Sequence, residues 1–98
     1  MAKFRVMLEG ENLWVRLDRE PQHLGFFTTR FVEAADPDEA ARRAVDLVRG
    51  DLRDRLLNAP DDSPRVVVDE IVEVARFPSD VELPGHGYTW YLHEESQP

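Results

Sequence analysis

The sequence predicts an α+β fold, a single domain in which a mostly antiparallel sheet of four to five strands carries one long helix on one face. Three observations lead there. Apolar and polar residues alternate through much of the first third of the chain, the period-2 pattern of half-buried strands. A capped stretch with helical spacing begins at Asp36. Beyond Pro64 the chain returns to β-branched and aromatic residues. The expected element order is β-β-β-α-β-β.

Residues 3–9 alternate, with Phe4, Val6 and Leu8 to one side and Lys3, Arg5, Met7 and Glu9 to the other. Gly10-Glu11-Asn12 carries turn chemistry, because glycine and asparagine tolerate positive φ. Alternation resumes with Leu13, Val15 and Leu17 opposite Trp14 and Arg16, so the pattern predicts a β-hairpin turning at residues 10–12. Residues 18–24 are polar, include Pro21 and read as a loop. Gly25 then opens a third strand through Ala34, whose even face holds Phe26, Thr28, Arg30 and Val32 and whose odd face holds Phe27, Thr29 and Phe31. Aromatics on both faces are unusual for a strand with one wet side.

Asp36-Pro37-Asp38-Glu39 is a helix start: an N-cap, a proline at the first helical position and a glutamate at N3. Ala41, Ala44, Val45, Val48 and Leu52 follow as an apolar stripe. Asp38–Arg42 and Glu39–Arg43 are acid-to-base pairs one turn apart. The helix is expected to reach about Asn58, with a break at Gly50 as the alternative, and Pro60 stops it. Val66, Val67, Val68, Ile71, Val72 and Val74 predict a further strand over residues 65–77. Its phase slips at Asp69-Glu70, which a β-bulge would explain. Residues 78–87 read as loop, 88–92 as a short final strand and 93–98 as a flexible tail.

The chain has 98 residues, which fits one domain over residues 1–98. Its 20 acidic and 12 basic side chains leave a net charge of −8, which argues against nucleic-acid binding, since that affinity comes from neutralising phosphates. The acidity is uneven. Residues 1–30 hold five bases against four acids, and the rest of the chain seven against sixteen. With no cysteine there are no disulfides, thiolate metal sites or cysteine nucleophiles. No long apolar run suggests a membrane span or a signal-peptide core, so a cytoplasmic protein is expected.

Catalytic patterns are absent. Ser63, Ser79 and Ser96 lie in turns or the tail without a nucleophile elbow, and His23, His86 and His93 lack metal-ligand spacing. No phosphate loop or dinucleotide fingerprint points to a cofactor, so none is expected. Pro84-Gly85-His86-Gly87 is the candidate ligand loop, because flanking glycines leave the imidazole accessible, with Arg30 as a candidate anion contact.

One helix covers one face of a sheet. The other face would hold Met7, Trp14, Phe27, Thr29 and Phe31, with a residue from Tyr88 to Tyr91, a patch of the kind that marks interfaces. Either the C-terminal segment folds back over it or it buries against another protein, in the first instance as a homodimer.

Leu8-Glu9-Gly10-Glu11-Asn12 followed by Gly25-Phe26-Phe27-Thr28-Thr29-Arg30-Phe31-Val32-Glu33-Ala34 resembles a family of small bacterial proteins of about this length that carries no assigned function. The strand-strand-strand-helix order with Asp36-x-x-Glu39-Ala40 at the helix start is more distantly similar to the HicB antitoxin domain. The first resemblance implies no activity; the second implies an acidic partner that masks a basic protein. From the residues themselves, the expectation is a non-catalytic binding or regulatory module that self-associates through the aromatic sheet face, with a small ligand-binding protein or enzyme built around His86 as the other reading.

Overall fold

The computed structural model describes residues 1–92. It contains β1 (Ala2–Leu17), β2 (Glu20–Ala34), α1 (Pro37–Leu52), β3 (Arg65–Val74) and β4 (Thr89–Leu92), with one 3-10 turn, Arg53–Arg55, closing the helix. The four strands form one antiparallel sheet in the order β3-β1-β2-β4. The α+β fold with a helix on one face is therefore present, with the order β-β-α-β-β.

The missing strand has a physical explanation. The segments read as the first two strands are one strand, and both halves pair with β2. Gly10-Glu11-Asn12 is a bulge, not a turn: Gly10 lies opposite Phe26 and Leu13 opposite Leu24, so two residues of β1 face one of β2. Asn12 does adopt positive φ, at 59°. The extra residue flips the parity of β1, which puts Phe4, Val6 and Leu8 on the same face as Leu13 and Val15. The true hairpin turn is Asp18-Arg19, with φ of 50° and 73°, the left-handed pair that a two-residue turn needs. Residues 20–24, expected as loop, belong to β2. Pro21 is tolerated there because β4 reaches only as far as Leu24, so the missing N–H faces no strand.

The Asp36 side chain accepts from the Glu39 backbone N–H at 2.8 Å, and the Glu39 carboxylate reaches back to the Ala35 N–H at 3.3 Å. The helix runs through Gly50 without a break but ends at Leu52, short of Asn58. Leu56 turns extended and bridges to Val15, while the Leu57 N–H donates to the Trp14 carbonyl at 2.7 Å. Asn58 accepts from the Trp14 N–H at 3.0 Å and donates to the Asn12 carbonyl at 2.8 Å. These sheet contacts replace the next helical turn.

The buried stripe of α1 is Ala40, Ala44, Val48 and Leu52, with Ala41 half-buried in place of the expected contact. It packs on Phe4, Val6, Leu8, Leu13, Phe26 and Val32 to form the core. Gly10 belongs to this packing, because a Cβ there would lie 2.0 Å from the Phe26 ring. The bulge expected in β3 is present: Met7 pairs with Glu70 and Leu8 with Val68, leaving Asp69 unpaired. The expected tail, residues 93–98, lies outside the described residues.

Candidate functional site

Register assembles the second sheet face. Arg5, Met7 and Glu9 of β1 lie opposite Phe31, Thr29 and Phe27 of β2, and Arg5 and Met7 face Val72 and Glu70 of β3 on the other side. Met7, Phe27, Thr29 and Phe31, four of the five residues expected on this face, therefore sit together. Trp14 lies further along the hairpin, opposite His23, with the two rings stacked at 4.4 Å.

The chain between β3 and β4 folds back over part of this face. Phe77 meets Phe31 edge-to-face with centroids 5.9 Å apart, and the Phe31 N–H donates to the Pro84 carbonyl at 2.9 Å. Tyr91 of β4 packs beside Phe27 at 5.3 Å and lies over Gly25, where a Cβ would come within 2.2 Å of its ring. The Tyr91 hydroxyl donates to Glu9 at 2.6 Å, and desolvation together with that carboxylate raises its pKa. The covering is incomplete. Phe27 remains 48% exposed and Met7 40%. Between them and the returning chain is a cleft of about 550 Å³, lined by Met7, Phe27, Thr29, Phe31, Val81 and His86 among others.

His86 stands at the rim of this cleft, its Nε2 3.8 Å from Glu82. Arg30 does not join it. It points to the helix side of the sheet and is 1% exposed. Its Nη1 donates to the Thr28 hydroxyl at 2.6 Å, the Thr29 carbonyl at 2.9 Å and the Gly87 carbonyl at 3.3 Å. Nη2 lies 3.6 Å from Asp51 on α1, and the guanidinium stacks over Tyr88 at 4.9 Å. The Thr28 hydroxyl also donates to the Gly87 carbonyl. The Tyr88 hydroxyl donates to Asp51 at 2.9 Å, and burial, then that hydrogen bond, pushes its pKa up to about 12. Gly85 approaches β2 too closely for any side chain: φ is 101°, and a Cβ would sit 2.8 Å from the Thr29 carbonyl. Arg30 thus clasps the loop from beneath, while the loop's other side forms the cleft.

Sequence reasoning missed Phe77 and Val81 as parts of this face; the residue it expected there from the last strand is Tyr91. Phe77 was expected as the end of a strand over residues 65–77, but β3 stops at Val74, and Val81 lies in the loop beyond it with no periodic signal. The pairing of Asp51 with Tyr88 has no local signature either, because 37 residues separate them. Among the described residues no group of three or more histidine, aspartate or glutamate side chains is placed to hold a metal ion. His93 and Glu94 fall outside them. Among the described residues, no helix is long and apolar enough to cross a membrane. The chain matches no family model, no curated protein and no solved structure.

Proposed function

We propose that the chain is a non-catalytic protein-binding module that self-associates through the open part of the aromatic sheet face. The observation that carries this reading is the uneven covering of that face. Phe31 is packed by Phe77 and by the returning chain, whereas Phe27, which has only Tyr91 at its edge, and Met7, in the middle of the same surface, stay 48% and 40% exposed. Exposed apolar residues gathered in one patch mark binding surfaces, and aromatic residues and methionine are enriched in interface cores.

Phe27→Asp tests the reading better than a change at Phe31, because Phe31 is also packed against Phe77. Light scattering across about 1–300 µM, the range that reads micromolar association, should show the mass of the wild-type chain rising from 11.3 kDa toward a dimer. Phe27→Asp should remain a monomer with an unchanged melting temperature. A wild-type chain that stays monomeric throughout overturns self-association.

A second reading is favoured by the cleft itself. Its volume of about 550 Å³ lies within the range of small-molecule sites, and His86 offers a polar group at the rim. An apolar fluorescent probe displaced equally well from wild type and His86→Ala would remove His86 from such a site.

A further inference from the structure

We propose that a second copy of the chain docks on this face about a two-fold axis running across the strands at Met7, so that Arg5 of each copy meets Glu9 of the other. This rests on the self-association read above and adds the geometry of the pair. Arg5, Met7 and Glu9 are successive outward positions of β1, spaced about 6.8 Å apart along a strand. Beside Arg5 lies Phe31, and beside Glu9 lies Phe27. Going out from Met7, an aromatic ring lies on each side, Phe27 open and Phe31 carrying Phe77 on its edge, and the charges are opposite.

That pattern selects one symmetry. A two-fold across the strands lays the Arg5–Phe31 level of one copy on the Glu9–Phe27 level of the other, positive on negative and ring on ring. A two-fold along the strands would lay Arg5 on Arg5 and Glu9 on Glu9, and like charges brought together at an interface are strongly disfavoured. An isologous contact of the first kind makes each favourable pair twice. Glu70 lies level with Met7 but leans onto its own Arg5, 3.3 Å from Nη2, which keeps its charge from opposing its symmetry mate. Arg5 retains donors for a second carboxylate, since a guanidinium carries five N–H groups.

Size sets the strength. Four strands at about 4.8 Å and nine residues at about 3.4 Å give a face of at most roughly 590 Å², part of it under the chain's own returning segment. Two copies would bury at most about 1,200 Å² in total, at the lower limit for a specific interface, so a reversible micromolar dimer is expected.

Charge exchange tests the geometry. Arg5→Glu alone faces Glu9 with a second negative charge, and Glu9→Arg alone faces Arg5 with a second positive one; each should weaken self-association at least about tenfold. Mixing the two variants should give a heterodimer within about threefold of wild-type affinity, because every cross-pair is then opposite in charge. The double variant Arg5→Glu/Glu9→Arg should dimerise for the same reason. The neutral changes Arg5→Gln and Glu9→Gln, read alongside circular dichroism, give the same order with smaller effects if a swap disturbs folding. A dimer abolished by Phe27→Asp but indifferent to the charge changes overturns this geometry and leaves self-association standing. A wild-type monomer at 300 µM overturns both.

Discussion

Arg30 shows how one residue organises its surroundings. Its head is buried, yet it serves a half-exposed carboxylate, two carbonyls and a hydroxyl from three segments of chain. Removing it takes a donor from the Thr29 carbonyl and the counter-charge from Asp51, and loosens the Thr28–Gly87 contact it shares; lost bonds to buried polar groups are costly. Arg30→Met should lower stability by about 2–4 kcal/mol, discounted because Asp51 is partly in water. Arg30→Lys should fall between Met and wild type, since an ammonium keeps the charge without the planar fork. Asp51→Asn should cost least, because the Nη1 bonds survive it. Urea denaturation midpoints check the order, and an Arg30→Met midpoint equal to wild type would refute the clasp.

The chain's two tyrosines extend this residue-scale argument into pH. Each donates to a carboxylate, and each is raised above its ordinary value of 10.0, Tyr88 to about 12. A raised folded-state pKa on a phenol means that the unfolded chain ionises first. The contribution of Tyr88 to stability is therefore complete below pH 10 and is lost between pH 10 and about 12. Absorbance of tyrosinate should show half-ionisation near pH 10 in urea-unfolded protein and very little at that pH in folded protein. Equal titration curves would contradict the two hydrogen bonds.

Among the elements, the helix offers the plainest prediction. Gly50 is exposed, helical, and has nothing within 4 Å of where a Cβ would stand. Gly50→Ala should therefore stabilise the protein by about 0.5–1 kcal/mol, raising its melting temperature without changing its fold. A lowered melting temperature would show that the helix is strained there.

What the sequence revealed about the elements follows from how local each signal is. The helix start was legible because Asp36, Pro37 and Glu39 act within one turn. The slip at Asp69 was legible because Val66 and Val68 before it and Ile71 after it fall on opposite parities. The role of Gly10-Glu11-Asn12 was not legible, because a turn and a bulge use the same positive-φ residues. Only the partner of Leu13 distinguishes them, and that partner is Leu24 of the next strand. The helix end was hidden for a similar reason: Asn58 is drawn to the sheet by Trp14 and Asn12, distant in sequence.

At the scale of the molecule, parity alone placed Met7, Phe27, Thr29 and Phe31 on one surface, because alternation holds wherever a strand is regular. Trp14 shares that parity but stands apart, since the bulge and Tyr91 separate it from the cleft. Arg30 and His86 flank one loop on opposite sides, a relation that no spacing encodes. The two sequence expectations for the face, covering by the chain and contact with another copy, meet in one surface: Phe77 and Tyr91 cover its margins, and its centre stays open. The dimer predicted on that centre is correspondingly weak.

The unpaired residue in β3 bears on how far assembly can proceed. β3 is an edge strand of ten residues, long enough to recruit a strand from another molecule and begin an open-ended stack. Asp69 interrupts its ladder near the middle, and Asp69, Glu70 and Glu73 place charge along it. Such interruptions and charges blunt an edge against aggregation. The opposite edge, β4, has four residues among those described. With both edges poor templates, growth by strand addition is disfavoured, and the face-to-face pair proposed above would close on itself at two copies.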